Sequence, residues 1–171
     1  MPISLRRAEK LSPELRTAID LGSGERVLSW AREAASGSTV VATNHGLYAV
    51  DAAVVRTLAR RWHEVDGGTW SAEQTQLTVT WVDGSRPSQW VLGATSLLPE
   101  TLRERVQASV VLAQRIELGP RRWAKAVLRQ DLGSGDLVEQ VVLGRGVLAD
   151  DAEITARTDA ALAYLREQVG R

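Results

Sequence analysis

The chain has 171 residues, of which 44% are hydrophobic, and a chain of this size can bury a sizeable core of its own. Its 21 basic and 21 acidic side chains cancel, so any binding to polyanions requires a local cluster of charge. Because the sequence has no cysteine, disulfides, thiolate catalysis and thiolate zinc sites are excluded.

The N-terminal stretch MPISLRRAEK predicts neither export nor a membrane anchor. It becomes charged at Arg6 and lacks the apolar stretch that a signal peptide needs. The longest apolar runs of the chain, such as SVVLA, are too short to cross a bilayer. We therefore expect a cytoplasmic protein without a transmembrane segment.

A short helix is predicted next along the chain. Ser12 and Pro13 are residue types preferred at an N-cap and at the first helical position, respectively. Gly22 is of the type that ends helices. We assign residues 1–23 to this N-terminal helical segment.

Short segments rich in Val, Trp, Thr and Tyr follow, and they predict about seven strands. The segments are ERVLSWARE, STVVAT, GLYAV, VVRTLARRW, the surroundings of VDGGTW, QLTVTWV and SQWVL. The connections between them are polar or contain glycine, and they are too short for a crossover helix. An antiparallel meander is therefore expected.

A second helix is predicted to begin at the sequence LPE of residues 98–100. Its apolar positions recur at helical spacing and are Leu102, Val106, Val110 and Ala113. We expect this helix to cover one open end of the sheet.

The C-terminal part predicts a hairpin and a helix. Residues 114–118 have an extended pattern, and WAKAVLRQ and LVEQVVL flank the turn GSGD. Asp150 and Glu153 have capping-box spacing at the start of the last helix. The apolar stripe of that helix includes Ile154, Leu162 and Leu165, and it needs a partner. We expect residues 114–171 to pack on the preceding part, because so short a segment is a poor candidate for folding alone.

This order of elements resembles the pleckstrin-homology-like (PH-like) barrel of bacteria. The similar segments are GERVL, VVATNHGLY, RRWHEV followed by TW, and the capping helix LPETLRERV. Together with its C-terminal part, the chain also resembles a family of high-GC Gram-positive bacteria. The resemblance covers residues 24 to about 112. It implies a mainly β (α+β) fold, with a seven-strand antiparallel barrel or sandwich capped by a helix over residues 24–113, and almost no function.

The stretch RRWHEVDGGTW contains the most reactive-looking residues of the chain. Read as a strand, it places His63 and Glu64 on opposite faces. The glycines at positions 67 and 68 exclude the helix that a His-Glu-x-x-His zinc motif requires. We interpret the stretch as a strand with Trp62 inside and charges outside, with an acid-base or ligand role for His63 as the alternative.

Other catalytic patterns are weak or missing. Residues 144–149, GRGVLA, match the dinucleotide fingerprint, but no parallel strand follows the last helix. The sequence has neither a P-loop nor a nucleophile elbow, and His45 and His63 are its two imidazoles. Asp150 and Asp151 are explained by helix capping. We therefore predict no catalytic residue, no cofactor and no metal.

Two clusters of basic residues remain as candidates for binding. The candidate binding surface comprises Arg60, Arg61, His63, Arg121, Arg122, Trp123, Lys125 and Arg129. Strand alternation places Trp123, Lys125 and Arg129 on one face, which suits base stacking and phosphate contacts. The alternative is a solvated strand face whose arginine stems cover apolar neighbours.

These features favour a non-enzymatic binding or scaffold protein that interacts with a protein partner, a second copy of the chain included. The second hypothesis is recognition of a polyanion, either nucleic acid or an anionic lipid headgroup, through the arginine clusters. The third is an enzyme whose site the sequence does not reveal.

Overall fold

The computed structural model describes residues 10–170, so part of the predicted N-terminal segment, residues 1–9, lies outside the described residues. Three α-helices are present in the described part. They are α1 (Pro13–Ile19), α2 (Leu98–Ser109) and α3 (Ala152–Val169).

The strands of the described part form three antiparallel sheets. The strands are β1 (Val27–Arg32), β2 (Thr39–Thr43), β3 (Gly46–Val50), β4 (Arg56–Arg61), β5 (Val65–Ser71), β6 (Gln76–Trp81), β7 (Ser88–Val91), β8 (Val110–Gly119), β9 (Arg122–Gln130) and β10 (Leu137–Leu143). The first sheet has the order β1-β2-β3-β4, the second β5-β6-β7, and the third β10-β9-β8. The predicted mainly β class is confirmed.

The seven strands predicted before α2 are present, but in the described part they do not close into a barrel. One turn of 3₁₀ helix, Trp62–Glu64, separates β4 from β5. The carboxylate of Glu64 accepts a hydrogen bond from the backbone N–H of Arg61 at 2.7 Å, which fixes this turn. The strand predicted through RRWHEV is therefore wrong at its C-terminal half, because a local side-chain bond replaces the ladder there.

The main core lies between the first two sheets and α2. Trp62, Val65 and Leu77 are fully or almost fully buried in it, and α2 adds Leu98 and Leu102. The close contact between α2 and β5 explains why residue 68 is a glycine. A Cβ at this position would lie 2.5 Å from Cδ2 of Leu102. A larger residue at that position would force the buried side chain of Leu102 to move.

The predicted first helix is confirmed, including its cap. Ser12 is the N-cap and accepts a hydrogen bond from the N–H of Leu15. The helix ends at Ile19, and its C-cap Asp20 has a φ of +59°, so it stops before the predicted Gly22. Ile19 packs with Val41, on the face of the first sheet opposite the main core.

The second helix is shorter than predicted. It ends at Ser109, and Val110 and Ala113 lie in β8, where Val110 pairs with Arg129 of β9. The β-branched pair Val110 and Val111 favours this switch to a strand. The C-terminal part is thus a three-stranded sheet and a helix, and the predicted boundary at residue 114 falls inside β8.

The apolar stripe of α3 is covered by the third sheet. Leu162 and Leu165 pack with Ile116 of β8 and Leu128 of β9 in a second core. The stripe therefore finds its partner within the C-terminal part, because β8 extends the predicted hairpin into a sheet wide enough to bury it. The N-cap of α3 is Asp151, one residue after the predicted Asp150.

Candidate functional site

A groove runs between α2 and the outer edge of β5, and we call it the α2–β5 groove. Its volume is about 520 Å³, and its walls include Trp70, Leu77, Leu102 and Val106. Glu100 and Arg103 lie at its rim and are exposed. Gly67 and Gly68 also line it, so this part of β5 presents backbone rather than side chains to the groove.

The α2–β5 groove combines an apolar cavity with a free strand edge. Within residues 10–170, β5 pairs with β6 alone, so no strand covers its outer edge. The volume lies in the range of ligand pockets, about 300–1,000 Å³, and the lining is mostly apolar with a few charged groups, as is usual in such sites. The sequence did not reveal this groove, because its two walls are about 30 residues apart.

A second cleft, of about 320 Å³, lies beside a buried carboxylate. The side chain of Glu25 is 2% exposed, and it accepts hydrogen bonds from Thr43 Oγ1 at 2.5 Å, Tyr48 OH at 2.8 Å and the N–H of Gly22 at 2.8 Å. Nδ1 of His45 lies 3.8 Å from Glu25. His45 lies in the turn between β2 and β3, as predicted.

The hydrogen bonds around Glu25 shift two pKa values. Burial raises the pKa of Glu25, but the bonds from Thr43, Gly22 and Tyr48 outweigh burial, so the net pKa lies below the ordinary glutamate value. Burial first, and then the bond to Glu25, raise the pKa of Tyr48 to about 12. At neutral pH, Glu25 is therefore a charged acceptor and Tyr48 a neutral donor.

Alkaline solution is expected to weaken the fold through Tyr48. A hydroxyl whose pKa rises from about 10 when unfolded to about 12 when folded contributes stability that is complete below pH 10 and is lost as the pH rises towards 12. Urea unfolding of the wild type should therefore show a midpoint that falls over this range. The same series on Tyr48→Phe should fall less steeply, and equal slopes for the two proteins would contradict the assignment.

The first predicted basic cluster is divided between the two faces of the first sheet. Arg60 is opposite Leu47, which faces the main core, whereas Arg61 is opposite Gly46 on the other face. The guanidinium carbon of Arg60 lies 5.1 Å from the centroid of the Trp81 ring, and Arg60 pairs with Asp83 at 3.0 Å. Both arginines nevertheless line the second cleft, although neighbouring residues of a strand start out in opposite directions.

His63 lies in the 3₁₀ turn rather than in a strand. Its backbone carbonyl accepts a hydrogen bond from Nε2 of Gln140 in β10 at 2.5 Å. Glu64 bonds instead to Arg60 at 3.2 Å and to the backbone of Arg61. The backbone of His63 thus helps to join β10 to the 3₁₀ turn.

Arg129 is buried and therefore does not belong to a polyanion-binding surface. The residue is 4% exposed, and its guanidinium donates to the carbonyl oxygens of Trp62 at 2.7 Å and Val65 at 3.0 Å. Its Nε also donates to Oγ of Ser109 at 2.9 Å. Burial lowers the pKa of Arg129, and nearby Asp66 partly opposes this shift. We call these contacts the Arg129 joint.

The remaining candidates lie towards the other end of the third sheet. Arg121 is an exposed turn residue with a φ of +58°, and Arg122 pairs with Asp151 at 3.6 Å. Trp123 is half-buried under Arg115, whose guanidinium carbon lies 4.6 Å from the ring centroid. Lys125 is opposite Arg115 in the β8–β9 ladder. Arg115 was missed because its place beside Trp123 depends on the register of β8.

Comparison with known proteins gives no match, either to a protein-family model or to a curated sequence. Over residues 10–170, no group of three or more histidine, aspartate or glutamate residues is arranged to hold a metal ion. No helix in this same range has the length and apolar character needed to cross a membrane.

Proposed function

We propose that the protein is a non-enzymatic module that binds an extended segment of a partner protein in the α2–β5 groove. The observation that carries this proposal is a free strand edge beside an apolar cavity of about 520 Å³. An extended peptide that adds to the edge of β5 gains main-chain hydrogen bonds from the strand. Its alternate side chains then point into the groove, which gives specificity.

The chemistry of the groove suits a peptide with an apolar anchor. Trp70 packs against the main core but is only half-buried, so part of its ring remains available as a large, rigid contact surface in the groove. Tryptophan is enriched at the centres of protein interfaces for this reason. Arg103 and Glu100 at the rim offer one charge of each sign to the residues that flank the anchor.

The relationship to PH-like proteins is part of the same proposal. A four-stranded and a three-stranded antiparallel sheet, followed directly by α2, support it, as do the similar segments GERVL and VVATNHGLY. Small scaffolds of this kind carry function in surface sites rather than in the fold itself, so the relationship is compatible with a binding role and does not name the partner.

Peptides selected for binding to the wild type from a displayed random library test the proposal. Trp70→Ala should weaken their affinity about 30-fold, because a buried tryptophan contact at an interface centre is worth about 2 kcal/mol. Isothermal titration calorimetry measures the affinity. The matched control is Trp123→Ala, another half-buried tryptophan, which should leave the affinity unchanged.

Hydrogen exchange locates the bound peptide. Binding should slow the exchange of backbone N–H groups of β5, because a paired edge is protected. A selected peptide that binds Trp70→Ala as tightly as the wild type, or one that leaves the exchange of β5 unchanged, would place the binding site elsewhere. A library that yields no binder would count against the peptide-binding function.

Polyanion recognition is the second candidate, and one observation favours it. Arg115, Arg121, Arg122 and Lys125 lie close to Trp123, which can stack on a base. However, Arg115 pairs with Glu117 at 2.6 Å, and Arg122 pairs with Asp151. The burial of Arg129 removes a further cation from this surface. Nucleic acid or a lipid headgroup therefore ranks below a peptide.

A further inference from the structure

We propose that the chain forms a symmetric dimer in which β8 pairs antiparallel with β8 of a second copy. The two three-stranded sheets then become one sheet of six strands. This interface lies in a different sheet from the α2–β5 groove and does not depend on the peptide-binding proposal. A second copy is the occupant because the charges along β8 complement those of the same strand when it is reversed.

β8 is a long strand with an open edge. It has ten residues and pairs with β9 alone within the described range. An open edge of this length presents a row of unpaired N–H and C=O groups, which is a template for another strand.

Symmetry restricts how two copies of β8 can pair. A two-fold axis that brings two antiparallel edges together is perpendicular to the sheet, so residues that oppose each other come from the same face. Arg115 and Glu117 are two residues apart on one face, and their side chains are 56% and 68% exposed, respectively. Ile116 lies between them on the face that α3 covers.

One register brings opposite charges together twice. When Arg115 opposes Glu117 of the second copy, the two-fold axis passes at Ile116, and a second, equivalent ion pair forms across it. If the axis moves by one residue towards the N-terminus of β8, Arg115 opposes Arg115 of the second copy. If it moves by one residue towards the C-terminus, Glu117 opposes Glu117 of the second copy. Like charges directly opposite each other destabilise a strand pair, so the charge pattern of β8 favours the central register.

The α3 face of β8 leaves space for the second copy. A groove of about 410 Å³ lies between β8 and α3, and it is lined by Ile116, Arg157, Ala160 and Ala161. Tyr164, four residues beyond Ala160 on the same side of α3, is 55% exposed. In the dimer, the two copies of Ile116 lie side by side at the axis, each under its own α3, and the two grooves adjoin there.

Charge exchange tests this dimer by sedimentation equilibrium. In Arg115→Glu, the new glutamate opposes Glu117 of the second copy, and in Glu117→Arg, the new arginine opposes Arg115 of the second copy. Each variant thus places like charges opposite each other twice and should raise the dimer dissociation constant about tenfold or more. The double variant with both changes restores opposite charges and should return the constant to within about threefold of the wild type. Arg86→Glu, a change of the same charge at an exposed site outside β8, is the matched control and should have no effect.

Three results would overturn the proposal. The first is a wild-type chain that remains a monomer up to about 1 mM. The second is a dimer whose dissociation constant in both single variants equals that of the wild type, and the third is a double variant whose dimer stays as weak as those of the single variants. Circular dichroism on all variants checks that they are folded, and folding should be retained because both side chains are exposed.

Discussion

Replacing Arg129 with alanine is expected to lower the free energy of unfolding by about 3–5 kcal/mol, a large part of the stability of a domain of this size. The guanidinium supplies the hydrogen bonds that the carbonyl oxygens of Trp62 and Val65 accept from it, and the hydroxyl of Ser109 loses a donor as well. A buried acceptor left without a donor costs about 1–3 kcal/mol. Urea unfolding followed by tryptophan fluorescence measures the change.

Conservative and exposed replacements give the controls for Arg129. Arg129→Lys should recover part of the loss, because one ammonium group cannot reach all the acceptors that a planar guanidinium reaches. Arg121→Ala removes an exposed arginine from the turn at the opposite end of β9 and should change stability by no more than about 0.5 kcal/mol. A similarly small effect of Arg129→Ala would show that the Arg129 joint does not hold the sheets together.

Trp62→Ala should also cost about 3–5 kcal/mol, through loss of packing rather than loss of charge. Trp62 is 0% exposed in the main core, and its indole Nε1 donates to the carbonyl of Thr43 at 2.8 Å. The substitution removes this bond and leaves a cavity that the two sheets cannot close. Thermal unfolding by calorimetry should show a much lower Tm, or a protein that aggregates before it can be measured.

His63→Ala is the control that shows whether the loss of stability in Trp62→Ala is specific to the tryptophan or follows from any substitution in the 3₁₀ turn. His63→Ala should change stability by about 0.5 kcal/mol or less, because the bond from Gln140 is made to the backbone of His63 and survives the substitution. If His63→Ala were as damaging as Trp62→Ala, the side chain of His63 would have a structural or ligand-binding role that its position in the turn does not explain.

The strands before α2 could be predicted because their signals are local. Turn residues separate the segments, and each connection is too short for anything but an antiparallel neighbour. The end of α2 could not be predicted in this way. Val110 and Ala113 continue the helical spacing of Leu102, but Val110 pairs with Arg129, 19 residues further along the chain. This long-range pairing overrides the local periodicity.

The candidate sites were predictable only in part. Alternation correctly placed Lys125 and Arg129 on one face of β9, since both oppose outward residues of β8. It could not show that one end of that face is covered by the 3₁₀ turn and α2, which hides Arg129 while Trp123 stays half-exposed. The α2–β5 groove depends on the contact of Gly68 with Leu102, and a contact between distant segments leaves no periodic signal.

The Arg129 joint imposes an order on the assembly of the chain during synthesis. Its acceptors at Trp62, Val65 and Ser109 all precede Arg129 in the chain, so they leave the ribosome first. Until these acceptors are in position, the guanidinium keeps its hydration shell, because shedding water without new bonds is costly. The docking face of the third sheet therefore remains hydrated around Arg129. This hydrated charge opposes association with other incompletely folded chains. We therefore expect the third sheet to dock on the earlier strands only after these strands have formed.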